Sequence, residues 1–298
     1  MTTTRGGTVT AGAVSSAAPA APPERGKRRA PGLRKTLLAL PVPVAFLLLW
    51  SVGVRQGWTL PLDIRMDQVP TPEAVAVRLV DLATGGLIDD PYSGELWRHA
   101  WASLVRAVSG FAIAAVLAIP LGILMGRSRL LTHLLEPVVN LVRPIPVTAW
   151  APLALIIIGI GDRSAIFLVF LAAFFPILVN TVAAVLQVPD RLLEAASMLG
   201  TPTWQRLYKV VLPAAMPGIV SGLRVALGLA WALLVVGEMT GITVGLGAMI
   251  TEAKVVAKTD LIIAGMVVIG LLGFATDRVL VRLIKLASGR RPLLREQS

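Results

Sequence analysis

Long apolar stretches separated by shorter polar ones dominate the chain and predict membrane-spanning helices. Each helical crossing of roughly 30 Å of hydrocarbon takes about 20 predominantly apolar residues. Roughly six stretches meet this length, near residues 36–54, 102–126, 138–160, 164–187, 218–238 and 259–284. The pattern therefore predicts an all-α fold, a polytopic membrane helix bundle of about six transmembrane helices.

The stretches between these spans differ in length and content, and they suggest a domain organisation. Residues 1–32 are rich in Thr, Ala, Gly and Pro without apolar periodicity, which indicates a disordered tail. Residues 33–98 carry the first span and an external segment, where Thr71 and Pro72 predict a helix start by the cap-plus-proline pattern. We expect residues 99–288 to form the core domain, with a loop at 188–217, and residues 289–298 to form a second tail.

Prolines interrupt the third apolar stretch between Arg143 and Leu153. Prolines within lipid are tolerated where neighbouring helices, polar side chains or water satisfy the freed carbonyl groups. We interpret the run that contains Pro146, Trp150 and Pro152 as a broken helix that lines a cavity. A kinked helix with only a structural role explains the same prolines.

Composition and the location of charge agree with a membrane protein. The chain is 55% hydrophobic and 15% charged with a mean hydropathy of +0.77, which is more apolar and less charged than soluble domains. Its formal charge of +11 comes largely from basic clusters within 25–35, 127–129 and 282–295. These clusters fall on one side of a six-span bundle, so the positive-inside rule predicts cytoplasmic termini and argues against nucleic-acid binding.

Several kinds of chemistry are disfavoured by the residues present. Cysteine is absent, which excludes disulfides, thiolate nucleophiles and Cys-ligated metal clusters. His99 and His133 lie far apart in sequence, so we expect interfacial side chains and no metal site. The chain has no Gly-x-x-x-x-Gly-Lys-Ser/Thr phosphate loop, and we expect neither a cofactor nor ATP hydrolysis by this polypeptide.

Few ionisable residues interrupt the apolar stretches. Arg224 lies about two turns into the fifth span, where it can extend to the cytoplasmic interface or pair with a carboxylate on another helix. Glu238 and Asp277 lie near the ends of their spans, and interface positions explain both. We expect no paired charges within the membrane, which argues against an ion-coupled transporter.

The loop at 188–217 is polar, yet its residues predict ordered structure. Pro189 and Asp190 begin a predicted helix, and Gly200 ends it, because glycine adopts the left-handed conformation without a Cβ clash. Thr201 and Pro202 restart a helix. We expect Pro213 and Pro217 to end that second helix before the next span.

The loop also contains a spaced motif. It reads Glu194-Ala195-Ala196, three residues, Gly200, nine residues, then Val210-Val211-Leu212-Pro213. This spacing resembles the EAA motif by which permease subunits of ABC importers dock on their ATPase, with Val210 where that family usually has Ile. An incidental amphipathic hairpin that caps the bundle is the alternative interpretation.

Further residues between about 95 and 288 are similar to the nitrate, sulfonate and taurine class of these permeases. They include Arg143-x-Ile145-Pro146, Ala149-Trp150-x-Pro152-Leu153, Gly159-Ile160-Gly161, Ala173-Phe174-Phe175-Pro176 and Gly222-Leu223-Arg224. The chain departs from the pattern at Ile158, where an aromatic residue is expected, and at Gly237, where Ala is common. These departures weaken an assignment of the solute.

The resemblance implies a type I ABC importer permease in the cytoplasmic membrane. Such a permease works as a homodimer with two cytoplasmic ATPase subunits and an extracytoplasmic solute-binding protein, and it moves a small anionic or zwitterionic solute. The implied ATPase-docking residues are Glu194, Ala195, Ala196, Gly200, Thr201, Trp204 and Arg206. Candidate pathway residues are Arg143, Pro146, Trp150, Pro152 and Glu238. An ion-coupled secondary transporter and a membrane scaffold subunit are the alternatives.

Overall fold

The structure is a computed structural model and describes residues 41–60 and 64–287. The tails predicted at 1–32 and 289–298 lie outside the described residues. The chain divides into two compact units, Met1–Leu48 and Leu49–Ser298. In the first unit the described residues are helical, and the second unit holds the rest of the fold.

The described part of the chain is mainly helical. Its helices are α1 (Pro41–Arg55), α2 (Pro72–Thr84), α3 (Leu96–Arg127), α4 (Arg129–Val142), α5 (Ala151–Ile157), α6 (Asp162–Leu186), α7 (Asp190–Met198), α8 (Thr203–Arg206), α9 (Leu212–Glu238), α10 (Leu246–Val255) and α11 (Thr259–Ala287). A short antiparallel hairpin pairs β1 (Thr59–Leu60) with β2 (Ile64–Arg65), with Thr59 opposite Arg65. The predicted all-α membrane bundle is confirmed.

Four helices of the described residues are long and apolar enough to span a membrane: α3, α6, the continuous run Thr203–Glu238 and α11. A bent pair of helices raises the number of spans to five if the pair is one span. Helix α1 has 15 residues and is shorter than the about 20 that a crossing takes. The predicted first span begins at residue 36, and its residues 36–40 lie outside the described part of the chain.

Helix α6 lies at the centre of the core, with α3 on one side and α9 on the other. Small residues and branched aliphatic residues fill the two contacts, including Ala114, Ala118, Ala173, Ile177, Val185, Ile219 and Ala226. Close packing of this kind replaces hydrophobic burial as the main source of helix association in lipid. The three helices therefore provide a rigid frame for the more exposed elements.

The third predicted span, 138–160, contains a break between two helices. Helix α4 ends at Val142, and the helical run Val147–Ile157 leaves at an angle of 83° to it. Pro144 and Pro146 lie in the connection, where each lacks the N–H that would continue the helix. The prediction that prolines break this segment is confirmed, and the bent pair of helices begins at Arg129, before the predicted start at 138.

The fifth span also differs from its prediction. Pro213 and Pro217 do not end the preceding helix, because α8, a π-helical turn at Leu207–Val211 and α9 run on without a break. Pro213 is the second residue of α9, directly after the π turn, and lacks the N–H that a regular helix would use there. The π turn before it is the type of local adjustment that tolerates proline within a long helix.

Helix α2 lies in the segment between α1 and α3 and is held against α10 and α11. Thr71 Oγ1 accepts a hydrogen bond from the Ala74 amide, and Pro72 follows as the first helical residue, so the predicted cap is confirmed. Val75 and Leu82 pack with Leu246, Met249 and Leu261. The apolar pattern of the sequence did not predict α10, because its ten residues are fewer than the about 20 that a membrane span takes.

His99 and Glu238, both expected near the ends of their spans, have side chains that are buried within the protein. The expectation of no paired charges within the spans is wrong. Arg106 pairs with Glu238, and Arg224 pairs with Asp277. Arg224 thus has its inter-helix ion pair in the structure instead of extending alone to the interface.

Candidate functional site

The loop between α6 and α9 has a well-defined turn at Gly200. Gly200 has φ +70°, and the amides of Gly200 and Thr201 donate to the carbonyl oxygens of Ser197 and Ala196 at 3.0 and 3.1 Å. These bonds satisfy carbonyl groups that the end of α7 leaves free. The predicted helix end is confirmed, and α8 begins three residues later.

The side chains around this turn form an exposed apolar surface. Met198 and Leu199 are 86% and 84% exposed, and Trp204 is 63% exposed. The Trp204 and Tyr208 rings lie 5.3 Å apart between centroids. We name Met198, Leu199, Trp204 and Tyr208 the loop surface. Aromatic side chains in such a patch are typical of protein interfaces.

The predicted docking residues divide between this surface and the layer beneath it. Glu194 and Ala195 are exposed. Ala196 is 8% exposed and faces the bundle, so it supports α7 rather than presenting a contact. Thr201 is half-buried, and Arg206 is half-buried with its Nη2 donating to Thr203 Oγ1.

Met198 and Leu199 are the loop residues that sequence reasoning missed. Leu199 has helical spacing along one face of α7 with Ala196, which is buried. The structure exposes Leu199 because the left-handed turn at Gly200 ends the helix and directs its last residues away from the bundle. Their position directly before Gly200 was the available signal.

A second candidate region is an open cleft beside the break after α4. It has a volume of about 440 Å³ and is lined by Arg143, Pro146, Trp150, Phe175, Asn180 and Leu229, among others. Arg143, Pro146 and Trp150 were predicted pathway residues, and the structure brings them together. Pro152 and Glu238 do not line this cleft. We name it the upper cleft.

Two further clefts continue from the upper cleft. The middle cleft, of about 270 Å³, shares Arg143 and Val179 with it. The lower cleft, of about 550 Å³, shares Met125, Thr132 and Leu186 with the middle one and is bordered by basic side chains, Arg127 and Arg129 among them. The shared residues make the three clefts neighbours along one face.

One side of these clefts carries a line of polar side chains on α4 and just beyond it. Thr132, Glu136, Asn140 and Arg143 recur three or four residues apart, which places them on one helical face. All four line the middle cleft. Along the chain Asn140 lies between Glu136 and Arg143, and both charged residues are exposed. We name these four residues the polar line.

Glu238 belongs to a different, buried cluster at the other end of α6 from the loop surface. Its Oε1 accepts hydrogen bonds from Arg106 Nη1 at 2.6 Å and Ser103 Oγ at 2.7 Å. Its Oε2 accepts from the Gly247 amide at 2.8 Å, and the Ser103 Oγ accepts from the Leu246 amide. Glu238 and Ser103 therefore cap the free amides at the start of α10.

His99 joins the same cluster. Its Nδ1 lies 2.9 Å from the carbonyl oxygen of Gly245 and 3.1 Å from the amide nitrogen of that residue. The ring is 5% exposed and holds the connection between α9 and α10 against α3. This position gives His99 a structural role.

Comparisons with known proteins agree with these features. Residues 118–289 match the family of binding-protein-dependent transport system inner membrane components. The chain is 36% identical over 252 residues to the taurine transport system permease protein of Escherichia coli, covering 84% of this chain and 88% of the relative. It is 33% identical over 260 residues to the putative aliphatic sulfonates transport permease protein of Bacillus subtilis, covering 87% and 89%.

A solved structure shows the same fold. The inward-facing MetNI methionine ABC transporter contains a chain that matches with a TM-score of 0.54 and 24% sequence identity. The match covers 66% of this chain and all of that one. At this level of identity the likeness concerns the fold.

Proposed function

The chain belongs to the family of binding-protein-dependent transport system inner membrane components, and from this premise we propose that it moves a small anionic or zwitterionic solute through the cleft face of α4. It is the membrane-spanning permease of an ABC importer. We place ATP hydrolysis on a separate subunit, because the sequence lacks a phosphate loop.

The observation that carries the proposal is the polar line along one face of α4, whose other residues are mainly apolar. At 1.5 Å per residue, Glu136 and Arg143 lie roughly 10 and 21 Å along the chain from Arg129, at the start of α4. Charged side chains at such depth are expensive in lipid and typically mark a water-filled route for a solute. The three adjoining clefts follow this line.

The donors in the upper cleft support the solute class. The guanidinium of Arg143 and the amide of Asn180 lie among apolar and aromatic residues, and a guanidinium matches the geometry of oxyanions. Relatives of the chain are named for taurine and for aliphatic sulfonates. Both bear a sulfonate group, which a guanidinium can bind through two hydrogen bonds.

Exposure of the polar line supports a homodimer. Glu136, Asn140 and Arg143 are exposed on the single chain, and three polar side chains at membrane depth cannot be left facing lipid without a large cost. A second copy that faces the same line would close the clefts into a pore. We therefore propose two copies of this chain in the assembled importer.

The loop surface supports two cytoplasmic ATPase subunits as partners, one for each copy. It combines exposed Met198, Leu199 and Trp204 with the nearby carboxylate of Glu194 on short helices fixed to α6 and α9. A force applied to these helices acts directly on the helices of the core. An extracytoplasmic binding protein would deliver the solute at the opposite end, and both termini would lie in the cytoplasm.

Uptake by the reconstituted assembly tests the proposal. The tagged chain is purified with its ATPase, placed in liposomes with the binding protein, and supplied with labelled taurine, an alkanesulfonate or nitrate. ATP-dependent uptake should fall at least about tenfold for Arg143→Ala, since a charge-assisted hydrogen bond contributes about 1.5–3 kcal/mol. Arg98→Ala is the matched control, because Arg98 is exposed and pairs only with Glu95 among the described residues.

Two results would contradict the proposal. Uptake driven by an ion gradient without ATP would identify an ion-coupled transporter. Equal uptake by the Arg143→Ala and Arg98→Ala assemblies would remove the upper cleft from the pathway.

A further inference from the structure

Arg106 on α3 connects two carboxylates that belong to different helices. Its Nη1 donates to Glu238 Oε1 at 2.6 Å, while its Nε and Nη2 lie 2.9 and 2.8 Å from Asp162 Oδ1. The Arg106 residue is 5% exposed. One buried guanidinium thus joins the end of α9 and the start of α6 to α3.

The Glu238 side of this connection is fixed. Glu238 is completely buried and accepts further bonds from Ser103 and from the Gly247 amide. Gly245 and Gly247 both lie close to Glu238, and a Cβ on Gly245 would stand 2.6 Å from the Glu238 carboxyl carbon. Separation of Arg106 from Glu238 would leave a buried charge without its partner, which is strongly destabilising.

The Asp162 side of the connection is different. The Asp162 side chain is 67% exposed, and within the described part of the chain it bonds to no other side chain. The turn before Asp162 contains Gly159 and Gly161, whose φ angles are +94° and +136°. A water-exposed ion pair contributes little to stability and exchanges readily with solvent.

We propose that Arg106 is a positioning residue that keeps the α5–α6 turn closed by holding Asp162, and that transport opens the bundle at this contact. The two carboxylates differ in their surroundings: the Arg106–Glu238 pair is enclosed, whereas the Arg106–Asp162 pair meets water. Movement at this end therefore breaks the Asp162 contact and leaves the Glu238 cluster intact.

The location of the contact gives it a role in the transport cycle. Asp162 lies at the first residue of α6, and the loop surface follows the other end of this helix, which is about 36 Å long at 1.5 Å per residue. The inference rests on the proposed function, in which a binding protein acts at the Asp162 end and an ATPase at the loop end. A contact that favours the closed form lowers the population of the open one, so its loss should favour opening without the binding protein.

Hydrogen exchange tests the contact independently of transport. In the purified assembly, amides of residues 159–165 should exchange about two- to fivefold faster in Asp162→Asn than in the wild type, the factor expected for the loss of a partly exposed ion pair. Arg163→Gln is the matched control, because Arg163 is the neighbouring exposed residue and has no ion pair among the described residues. Unchanged exchange in Asp162→Asn would overturn the proposal.

The ATPase rate without binding protein gives the functional readout. Asp162→Asn should raise this basal rate by about the same two- to fivefold, and Asp162→Glu should restore it. A merely structural contact would lower thermal stability and leave the basal rate unchanged, and that result would reject the positioning role. If no ATPase co-purifies with the chain, the proposed function fails while the exchange experiment still decides whether the contact holds the turn.

Discussion

Gly222 of α9 lies directly against Asn180 of α6: a Cβ on Gly222 would stand 2.5 Å from the Cβ of Asn180. Gly218 lies in the same way against Ala184, while Gly122 and Gly126 of α3 meet Thr181 and Val185. The two glycine pairs, each spaced by four residues, thus receive two neighbouring faces of α6, since successive residues of a helix point about 100° apart. Close approach through small residues is the usual device for packing helices in lipid.

Alanine at Gly222 should destabilise the protein, because its Cβ cannot fit without moving a helix. We expect a loss of about 1–3 kcal/mol, as for other overpacked sites. Gly228→Ala, on the same helix, should be neutral or stabilising by up to about 1 kcal/mol, since nothing lies within 4 Å of its Cβ position. Thermal unfolding of the two variants in detergent checks the opposite signs, and equal shifts would contradict the packing argument.

The glycine pairs illustrate what the sequence can predict in this bundle. Spacing by four residues marks Gly218 and Gly222 as one face of a helix, and apolar length identifies the helix itself. Neither signal identifies the helix that packs against this face, because any small or branched residue on another helix can occupy the space beside the two glycines. The position of α6 between α3 and α9 is therefore a property of the packed structure.

Arg224 of α9 forms a two-bond ion pair with Asp277 of α11. The Nε–Oδ1 distance is 2.8 Å and the Nη2–Oδ2 distance is 3.0 Å. Arg224→Leu leaves the carboxylate alone within an apolar helix, at a cost of up to about 3 kcal/mol on the insertion scale. The double variant Arg224→Leu/Asp277→Leu should be closer to the wild type in thermal unfolding than either single variant, and additive losses would show that the pair is not coupled.

Buried polar clusters were the hardest part to predict. Glu238 and His99 occur near the ends of apolar stretches, where side chains at the membrane interface are common. Their burial depends on α10 folding back against α3, which satisfies both side chains with backbone groups of residues 245–247. Hydropathy could not identify α10, because the helix is short and does not span the membrane.

The absence of native cysteine allows a direct test of topology. Single cysteines at Leu87 and Leu199, which are 59% and 84% exposed, should react with a membrane-impermeant maleimide from opposite sides of the membrane. In intact cells we expect labelling at position 87 only, since the basic clusters favour a cytoplasmic location for position 199. Labelling of both positions only after permeabilisation, or of position 199 alone, would contradict the proposed orientation.

The loop surface should carry most of the affinity for the ATPase. Leu199→Asp places a charge in the centre of this surface and should weaken ATPase retention by roughly 30-fold or more, the loss typical of a hot-spot residue. Leu87→Asp is the matched control on the other side of the protein. Retention is measured by co-purification from detergent and by titration of the purified subunits.

We expect docking of the ATPase to depend on the left-handed backbone conformation of Gly200. Its φ of +70° is strained for a β-branched residue but accessible to asparagine. Gly200→Val should therefore disturb ATPase retention more than Gly200→Asn. Equal retention by both variants would mean that this conformation is not needed for docking.

Arg78 connects helix α2 to the rest of the bundle. Its Nε donates to Asp260 at 2.6 Å and its Nη1 to Asp90 at 3.1 Å, while Lys258 Nζ donates to Asp90 at 2.5 Å. Burial by itself would raise the pKa of Asp90, but hydrogen bonds from Lys258 and the Tyr92 amide, with the charges of Lys258 and Arg78, lower that pKa. The pKa of Asp81 is lowered in the same way by bonds from Ser93 and two amides, against the effect of burial.

These shifts predict how the attachment of α2 depends on pH. A carboxylate whose pKa is lower in the folded state stabilises the fold above its ordinary pKa of 3.8, and that stabilisation is lost as pH falls through the lowered value. Exchange of the α2 amides should therefore be constant from about pH 8 to about pH 5, after correction for the intrinsic rate, and should accelerate only below about pH 4. Asp90→Asn should loosen α2 at neutral pH and reduce the response to acid, because the group that titrates has been removed. Acceleration between pH 5 and 7 in the wild type would assign control of α2 to another group, and the pairs with Arg78 and Lys258 would then not be what holds the helix.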